Sequence, residues 1–212
     1  VPYHADTTAI FNTLCQQNSN SLLLDSAEIG SKNSLQSLIL INAAVKITCL
    51  GNQVTFRALN ANGKQVLNEI HPVLSQLGTV SAVNFENEFS VQFAPLDNQL
   101  DEDSKLQAAT IFDGLRVISN HYQHSSTPVF LGGLFAYDLV ANFIPMQGVE
   151  LKDDGIHCPD YSFYLAENLI TIDHQSQQAT LKSFCFSQEE QVEVAKTALS
   201  IAQKLKNIDG VL

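Results

Sequence analysis

The sequence is poor in basic residues. Its 212 residues include 11 Lys and Arg against 22 Asp and Glu, which gives a formal net charge of −11 at pH 7. A charge of this sign repels the phosphate backbone of nucleic acids and the anionic surface of membranes. We therefore expect no nucleic acid and no membrane among the partners of this protein.

Long apolar runs are also missing, and the first residues show no signal-peptide pattern. The longest apolar stretch, LILINAAV at 38–45, is interrupted by Asn42 and is far shorter than the ~20 residues that span a bilayer. The first residues, VPYHADTTAI, lack the basic start and apolar run of a signal peptide. The four cysteines form no C-x-x-C pair, so free and mostly buried thiols are expected rather than disulfides. These features predict a cytoplasmic protein.

Signatures of common catalytic sites are missing as well. The chain has no G-x-x-x-x-G-K or G-x-G-x-x-G phosphate loop, no G-x-S-x-G turn and no apparent Ser/His/Asp set. Among the six histidines only His121 and His124 are close in sequence, and they lack a third ligand. Residue chemistry alone therefore identifies no catalytic residue and no metal ligand.

The sequence does contain enough apolar residues to form a core. Hydrophobic residues make up 45% of the chain and charged residues 16%, with a mean hydropathy of +0.02. Disordered chains are less hydrophobic than this. The length is close to the usual domain size of roughly 100–200 residues, and no Pro/Gly/Ser-rich linker divides the chain. We therefore predict a single domain over residues 1–212.

The apolar periodicity predicts an α+β fold with a largely antiparallel sheet. Gly51-Asn52 is a two-residue hairpin signal, since both residues tolerate positive φ. Strand hairpins and helices are mixed along the chain, whereas single strands and helices would alternate strictly in a doubly wound fold. Helices are predicted near 7–15, 64–77, 104–121 and 188–206, and strands near 22–24, 35–50, 53–59, 89–93, 128–135, 161–165, 169–174 and 179–186.

Four local signals refine this prediction. Pro72 inside the second helix predicts a kink or an early stop. Gly132-Gly133 within a strand predicts a bulge or a close backbone contact. Ser187 and Glu190 have the spacing of a capping box before the last helix. The apolar side of that helix is expected to carry Val192, Ala195, Leu199, Ala202 and Leu205.

Four segments of the chain resemble the amino-terminal portion of anthranilate synthase component I, a family of chorismate-using enzymes. The segments occur in the family's order, and the likeness extends from about Ala9 to the last helix. It therefore covers nearly the whole chain. The segments are LLLDSAEIGSK (22–32), LDEDSKLQAATIFDGLR (100–116), GGLFAYDLVANF (132–143) and CPDYSFYLAENLITIDHQ (158–175).

The resemblance implies an activity for the whole subunit but not for this portion of it. The family's enzyme is a lyase that converts chorismate to anthranilate and pyruvate, the start of tryptophan biosynthesis. It uses Mg²⁺ and ammonia from a glutamine amidotransferase partner. The residues that bind chorismate and Mg²⁺ belong to the carboxy-terminal portion, whose motifs do not occur here. We therefore expect no catalytic residue, metal site or cofactor in this chain, no activity of the chain alone, and the carboxy-terminal portion as a partner.

The resemblance also implies part of the family's feedback-inhibition site for L-tryptophan. A carboxylate and a hydroxyl at a strand end present an acceptor for the ligand's ammonium group and a polar group that orients it. As alternatives, Asp25 and Ser26 form a turn or helix cap, and Arg116 forms a local ion pair with Asp113. The matching positions are Asp25, Ser26, Ala27, Arg116 and Ser162.

Two positions depart from the family pattern. Close relatives have Lys where this chain has Gln36 and Cys where it has Ser162. The rest of the family's tryptophan pocket lies beyond residue 212, so the resemblance implies half a pocket and weak binding by the chain alone. Two other functions stay open: a structural or partner-docking domain without tryptophan binding, and the equivalent domain of aminodeoxychorismate synthase.

Overall fold

The computed structural model describes residues 1–16, 18–25, 35–84, 87–95, 97, 99, 101–123, 128–143 and 158–208. Within these ranges the helices are α1 (Thr7–Cys15), α2 (Ala61–Leu77), α3 (Glu102–Gln107), α4 (Asp113–His121), α5 (Gln191–Lys206) and a 3₁₀ helix (Tyr137–Asn142). The strands are β1 (Leu22–Asp25), β2 (Gln36–Leu50), β3 (Gln53–Ala58), β4 (Thr79–Asn84), β5 (Glu88–Gln92), β6 (Leu131–Phe135), β7 (Tyr161–Asp173) and β8 (Gln178–Ser183).

All eight of these strands form one sheet in which every pairing is antiparallel. The order is β4-β5-β3-β2-β7-β6, with β1 also paired to β2 and β8 to β7. The prediction of an α+β fold with a largely antiparallel sheet is confirmed. The long strands β2 and β7 run side by side from Gln36 opposite Asp173 to Cys49 opposite Tyr161. Along the strand direction, both strands therefore extend from one end of the sheet to the other.

Irregular pairing in the middle of β2 separates two parts of the core. Register shifts occur between Leu40 and Val45, where β-bulges interrupt the pairing with β7. Ile39, before the shifts, and Ile41, at the first of them, pack in a cluster with residues of α1 and α5. After them, Val45 and Ile47 pack in a larger cluster with residues of α2 and α4. A shift of register thus changes the helices against which successive parts of the strand pack.

Strand β7 differs from the sequence prediction of two strands. Ala166, Glu167 and Asn168 continue the strand, because the bulges in the pairing with β2 accommodate them. The polar side chains of Glu167 and Asn168 are buried and accept hydrogen bonds from Asn62 and Ser183 respectively. These internal donors to Glu167 and Asn168 explain why a polar pair does not end the strand, although the buried Nδ2 of Asn168 has no partner among the described residues.

Two predicted helices also differ. The predicted helix over 104–121 is divided into α3 and α4, since Ala108 is extended and Asp113 Oδ2 accepts a 2.6 Å hydrogen bond from the Thr110 amide before α4 begins. The prediction of an early stop at Pro72 is wrong, because α2 continues to Leu77. Ile70 and Leu74 on either side of the proline are fully buried. Their packing offsets the backbone hydrogen bond that proline removes.

The last helix begins later than predicted and buries another face. Glu190, not Ser187, precedes α5, and no side chain caps its first turn, so the capping box does not form. The buried residues are Val194, Ile201 and Leu205, whereas Val192 and Leu199 are 65% and 66% exposed. Both faces of the helix contain apolar residues, and contacts of α5 with α1 and β8 decide which face is buried.

Glycines permit two tight features of the sheet. Gly51 has φ +57° in the hairpin between β2 and β3, as its Gly-Asn sequence predicts. A Cβ atom on Gly133 would lie 2.1 Å from the carbonyl oxygen of Ser162, so at this position β6 passes too close to β7 for a side chain. The predicted close backbone contact is confirmed at Gly133.

The four cysteines are free thiols, as predicted. Cys15 and Cys49 are buried, whereas Cys158 and Cys185 are exposed, so half of them rather than most are buried. Burial raises the pKa of the Cys49 thiol to about 12. Among the residues described, no helix has the length and apolarity needed to cross a membrane.

Candidate functional site

Asp25 lies at the end of β1, where three elements of the fold meet. It is opposite Ser37 in the pairing of β1 with β2, and the Ser37 hydroxyl donates a hydrogen bond to Asp25 Oδ1. Thr7, the first residue of α1, donates from Oγ1 to Asp25 Oδ2 at 3.2 Å. The Asp25 side chain is nevertheless exposed. Both oxygens are therefore oriented by hydroxyl groups while the carboxylate remains open to solvent.

His174 extends this hydrogen-bond network from the other side of β2. It follows the last residue of β7, and its amide donates to the carbonyl of Leu35 at 2.9 Å. Its Nε2 lies 2.8 Å from Ser37 Oγ, and its Nδ1 lies 3.2 Å from the hydroxyl of Tyr3. The rings of Tyr3 and His174 pack edge to face at 5.9 Å. Residues 171 positions apart in the chain thus meet beside Asp25.

The chemistry of these groups determines which atom donates and which accepts in each hydrogen bond of the network. An ionised carboxylate only accepts, so the Ser37 hydroxyl donates to Asp25 and its oxygen is left to accept from His174 Nε2–H. In a neutral imidazole Nδ1 is then the acceptor, and the Tyr3 hydroxyl donates to it. The chain of hydrogen bonds runs from Tyr3 through His174 and Ser37 to Asp25. Each member fixes the orientation of the next.

Ser37, His174 and Asp25 form a Ser/His/Asp set that the sequence did not reveal. Their order differs from that of a hydrolytic triad, in which the carboxylate orients the histidine and the histidine activates the serine. Here serine lies between the two, and Ser37 is fully buried. A substrate has no access to its oxygen. The arrangement can orient a carboxylate and is unsuited to nucleophilic catalysis.

The other residues implied by the family resemblance lie elsewhere or outside the described residues. Ser26 and Ala27 fall outside them. Ser162 lies on β7 opposite Thr48, at the far end of β2 from Ser37. At roughly 3.3 Å per residue this places Ser162 more than about 30 Å from the Asp25 network. The structure does not bring Ser162 and Asp25 together.

Arg116 forms the local ion pair that was its alternative interpretation. Its Nη1 lies 3.2 Å from Asp113 Oδ1, and its side chain is 59% exposed. Helix α4 packs on the face of the sheet that carries Tyr161, since a Cβ on Gly114 would lie 3.3 Å from the Tyr161 hydroxyl oxygen. Successive strand residues point to opposite faces, so Ser162 lies on the other face from α4. Arg116 is therefore also separated from Ser162.

Gln36, the departure from the family pattern, begins β2 next to Ser37 and opposite Asp173. Alternation along the strand directs it to the face opposite that of Ser37 and Asp25. It makes none of the hydrogen bonds that hold Asp25. The described partners of Asp25 are accordingly independent of the residue at position 36.

The sequence reasoning missed Thr7, Ser37, His174 and Tyr3. The His174 signal was present in the segment ending in IDHQ, directly after an apolar strand. Ser37 carries no local signal, because its contact with His174 depends on the register between β2 and β7. Within the described ranges, no group of three or more His, Cys, Asp or Glu residues is placed to hold a metal ion.

Comparisons with known proteins agree with the segments quoted above. No family model matches the chain. The chain is 85% identical over all 212 residues to anthranilate synthase component 1 of Haemophilus influenzae, of which it covers 41%. It is 46% identical over 189 residues (88% of the chain, 35% of the relative) to that of Vibrio cholerae. For the Escherichia coli protein the identity is 36% over 199 residues, or 92% of the chain and 37% of the relative.

A solved structure, anthranilate synthase component I from Streptococcus pneumoniae, also resembles the chain. The TM-score is 0.42 at 13% identity, covering 85% of this chain and 32% of that one. The described residues form an α+β protein with one antiparallel sheet and an oriented, exposed carboxylate. By sequence, the chain is similar over nearly its whole length to anthranilate synthase component 1, which confirms the family resemblance, and it spans about two fifths of the length of these curated relatives.

Proposed function

We propose that this chain carries part of an L-tryptophan feedback site of anthranilate synthase, with Asp25 accepting the ligand's ammonium group. The observation that supports this most directly is the exposed carboxylate held by Ser37 and Thr7. Each carboxylate oxygen can accept about two hydrogen bonds, and among the described residues each has one donor. Acceptor capacity for a ligand's ammonium therefore remains on both oxygens.

The network beside Asp25 suits the binding of a small charged ligand. A charge-assisted hydrogen bond between ammonium and carboxylate is stronger than a neutral one. Orientation of the carboxylate before binding lowers the entropy lost when the ligand binds. In this proposal Ser26 and Ala27 continue the site beyond β1. Segments of the relatives that the chain does not span complete it, so the chain alone binds tryptophan weakly.

In the whole enzyme, the proposed activity is the lyase reaction of the family in the cytoplasm. Chorismate and ammonia from a glutamine amidotransferase partner yield anthranilate and pyruvate, and glutamine is converted to glutamate. The described residues provide no cluster suited to Mg²⁺. We therefore place Mg²⁺ and chorismate in the portion of the relatives that this chain does not span. The chain by itself is inactive in this proposal.

A structural or partner-docking role without tryptophan is the second candidate. It is favoured by the separation of Asp25 from Arg116 and Ser162, since Arg116 already pairs with Asp113. In that case the Tyr3–His174–Ser37–Asp25 network serves only to fix α1 and the strand ends to one another. The two candidate functions differ in whether Asp25 contributes to the binding of an inhibitor.

A hybrid enzyme distinguishes the two candidates. In this hybrid the 212 residues replace the matching segment of the Haemophilus influenzae relative, and anthranilate formation is measured with increasing L-tryptophan. Asp25→Asn should raise the inhibitory concentration at least tenfold while uninhibited activity is unchanged. Asp103→Asn, the same change at an exposed position of α3, is the matched control. Unchanged inhibition in Asp25→Asn contradicts the proposed site and favours the structural role.

A further inference from the structure

A polar cavity of about 230 Å³ lies away from Asp25, where several elements of the fold converge. The segment after α1, the bulged part of β2, the start of α2, the middle of β7 and helix α5 each contribute to its wall. Bulges are common beside binding sites, because they redirect side chains out of the regular sheet pattern. The described residues that line it are Asn18, Asn20, Asn42, Ala43, Leu59, Asn60, Glu167 and Thr197.

Glu167 is the single charged residue among these lining residues. Its side chain is held by two amides, because Oε2 accepts hydrogen bonds from Asn60 Nδ2 at 2.9 Å and Asn62 Nδ2 at 2.8 Å. Glu167 as a whole is only 7% exposed. Among the described residues, no group donates a hydrogen bond to Oε1, and Oε1 is not completely sealed from solvent. Because Glu167 lines the cavity, we infer that Oε1 is the oxygen open to a ligand.

The two asparagines that hold Glu167 are themselves fixed. Asn60 caps α2 by accepting from the Gly63 amide at 2.8 Å. Asn62 is buried, donates to the Phe184 carbonyl at 3.0 Å and accepts from the Phe186 amide at 2.6 Å. Their positions depend on the start of α2 and on the segment after β8. The carboxylate is thus oriented before any ligand arrives, which favours binding.

The open hydrogen-bonding groups of the wall are mostly uncharged. Asn20, Asn42 and Thr197 provide amide and hydroxyl groups beside the free carboxylate oxygen, and no described lining residue is cationic. Burial raises the pKa of Glu167, because the charged form loses hydration. A buried carboxylate is stabilised by a cation that also donates hydrogen bonds.

We propose that this cavity binds a small primary ammonium group, with Glu167 Oε1 as its carboxylate acceptor. The side chains of Asn20, Asn42 and Thr197 accept the remaining N–H bonds or contact the rest of the ligand. The size of the cavity admits a small organic amine and excludes a folded partner. This site is separate from Asp25 and does not depend on tryptophan binding there.

Titration of the ¹⁵N-labelled 212-residue chain with methylammonium at pH 8 tests the proposal. We expect saturable chemical-shift changes at the backbone amides of Ala43, Leu59 and Asn60. Tetramethylammonium carries the same charge but has no N–H donor, and it should leave these signals unchanged. Binding of two-heavy-atom ligands is weak, so millimolar concentrations are needed.

Glu167→Gln is the decisive variant. The glutamine oxygen can still accept from Asn60 and Asn62, while its NH₂ group replaces the acceptor that faces the cavity. The fold is therefore retained, and methylammonium affinity should fall at least tenfold. Glu190→Gln removes the same charge from a neighbouring position outside the lining and should bind as the parent does. Equal shifts with both cations, no saturable shift, or undiminished binding by Glu167→Gln would overturn the proposal.

Discussion

His174 Nε2 lies 2.8 Å from Ser37 Oγ, although 137 positions separate the two residues in the chain. Ser37 in turn donates to Asp25, so a histidine after the end of β7 orients a carboxylate at the end of β1. The contact exists because β2 and β7 pair along nearly their whole length. The sheet itself thus assembles the candidate site.

The first prediction concerns His174. His174→Ala leaves the buried Ser37 oxygen without its donor, and an unsatisfied buried group is destabilising by about 1–3 kcal/mol. His174→Gln restores an N–H donor and should recover part of that loss. Urea unfolding of the three proteins measures the difference. Equal free energies of unfolding for the parent and His174→Ala would show that the hydrogen bond contributes nothing.

In the hybrid enzyme, His174→Ala should also weaken inhibition by L-tryptophan, because Asp25 loses the support of an oriented Ser37. Uninhibited activity should stay the same, since the hydrogen bonds of His174 to described residues reach only Tyr3, Ser37 and the Leu35 backbone. The matched comparison is His121→Ala, which removes a histidine from α4. Similar inhibition curves for both variants would separate His174 from the inhibitor site.

The second prediction concerns the contact of β6 with β7. Gly133→Ala places a methyl group 2.1 Å from a backbone oxygen that cannot move aside, so it should be destabilising by more than about 3 kcal/mol. Gly51→Ala meets no neighbouring atom and is affected only by its φ of +57°, for about 1–2 kcal/mol. Thermal or urea unfolding ranks the two variants. A smaller effect at Gly133 than at Gly51 would contradict the described strand spacing.

The third prediction is a pH dependence caused by Glu167. Its folded-state pKa is raised above the ordinary value of 4.5, so the folded protein retains this proton at a pH where the unfolded chain has lost it. Its contribution to stability is full below the ordinary value and is lost as pH rises through the raised pKa. The stability difference between the parent and Glu167→Gln should change over that window. A difference that is constant with pH would contradict a raised pKa.

The fourth prediction concerns the thiols. Cys158 and Cys185 are exposed and should react rapidly with a thiol reagent in the native protein, whereas Cys15 and Cys49 should react only after unfolding. The raised pKa of Cys49, about 12, adds to its protection because the thiolate is the reactive form. Counting released chromophore before and after adding urea measures this. Rapid reaction of all four native thiols would contradict the described burial.

Local signals in the sequence predicted the parts of the fold that depend on nearby residues. The Gly51-Asn52 hairpin and helix α1 were placed correctly, because a turn residue or a single apolar stripe determines each. The break between α3 and α4 and the buried face of α5 depend on contacts distant in the chain. Periodicity could not choose between the two apolar faces of α5.

The candidate site shows the same division. Asp25 was identified through the family resemblance, and its strand-end position agrees with that expectation. Its partners Thr7 and Ser37 could not be found, because hydroxyl residues are common and only strand register brings these two to the carboxylate. Arg116 was assigned to the site by resemblance, yet its nearest described partner is Asp113, three positions away.

The central claim is that Asp25 accepts the ammonium group of L-tryptophan. The most direct test compares L-tryptophan with indole-3-propionate, which lacks the ammonium, as inhibitors of the hybrid enzyme with Asp or Asn at position 25. Because Asp25 and the ammonium group interact with each other in this account, removing either one abolishes the interaction. The effects of Asp25→Asn and of the missing ammonium group on inhibition should therefore not be additive. We predict that Asp25→Asn weakens inhibition by tryptophan at least tenfold and leaves inhibition by indole-3-propionate unchanged. An equal effect on both ligands, or no effect on either, would contradict the claim.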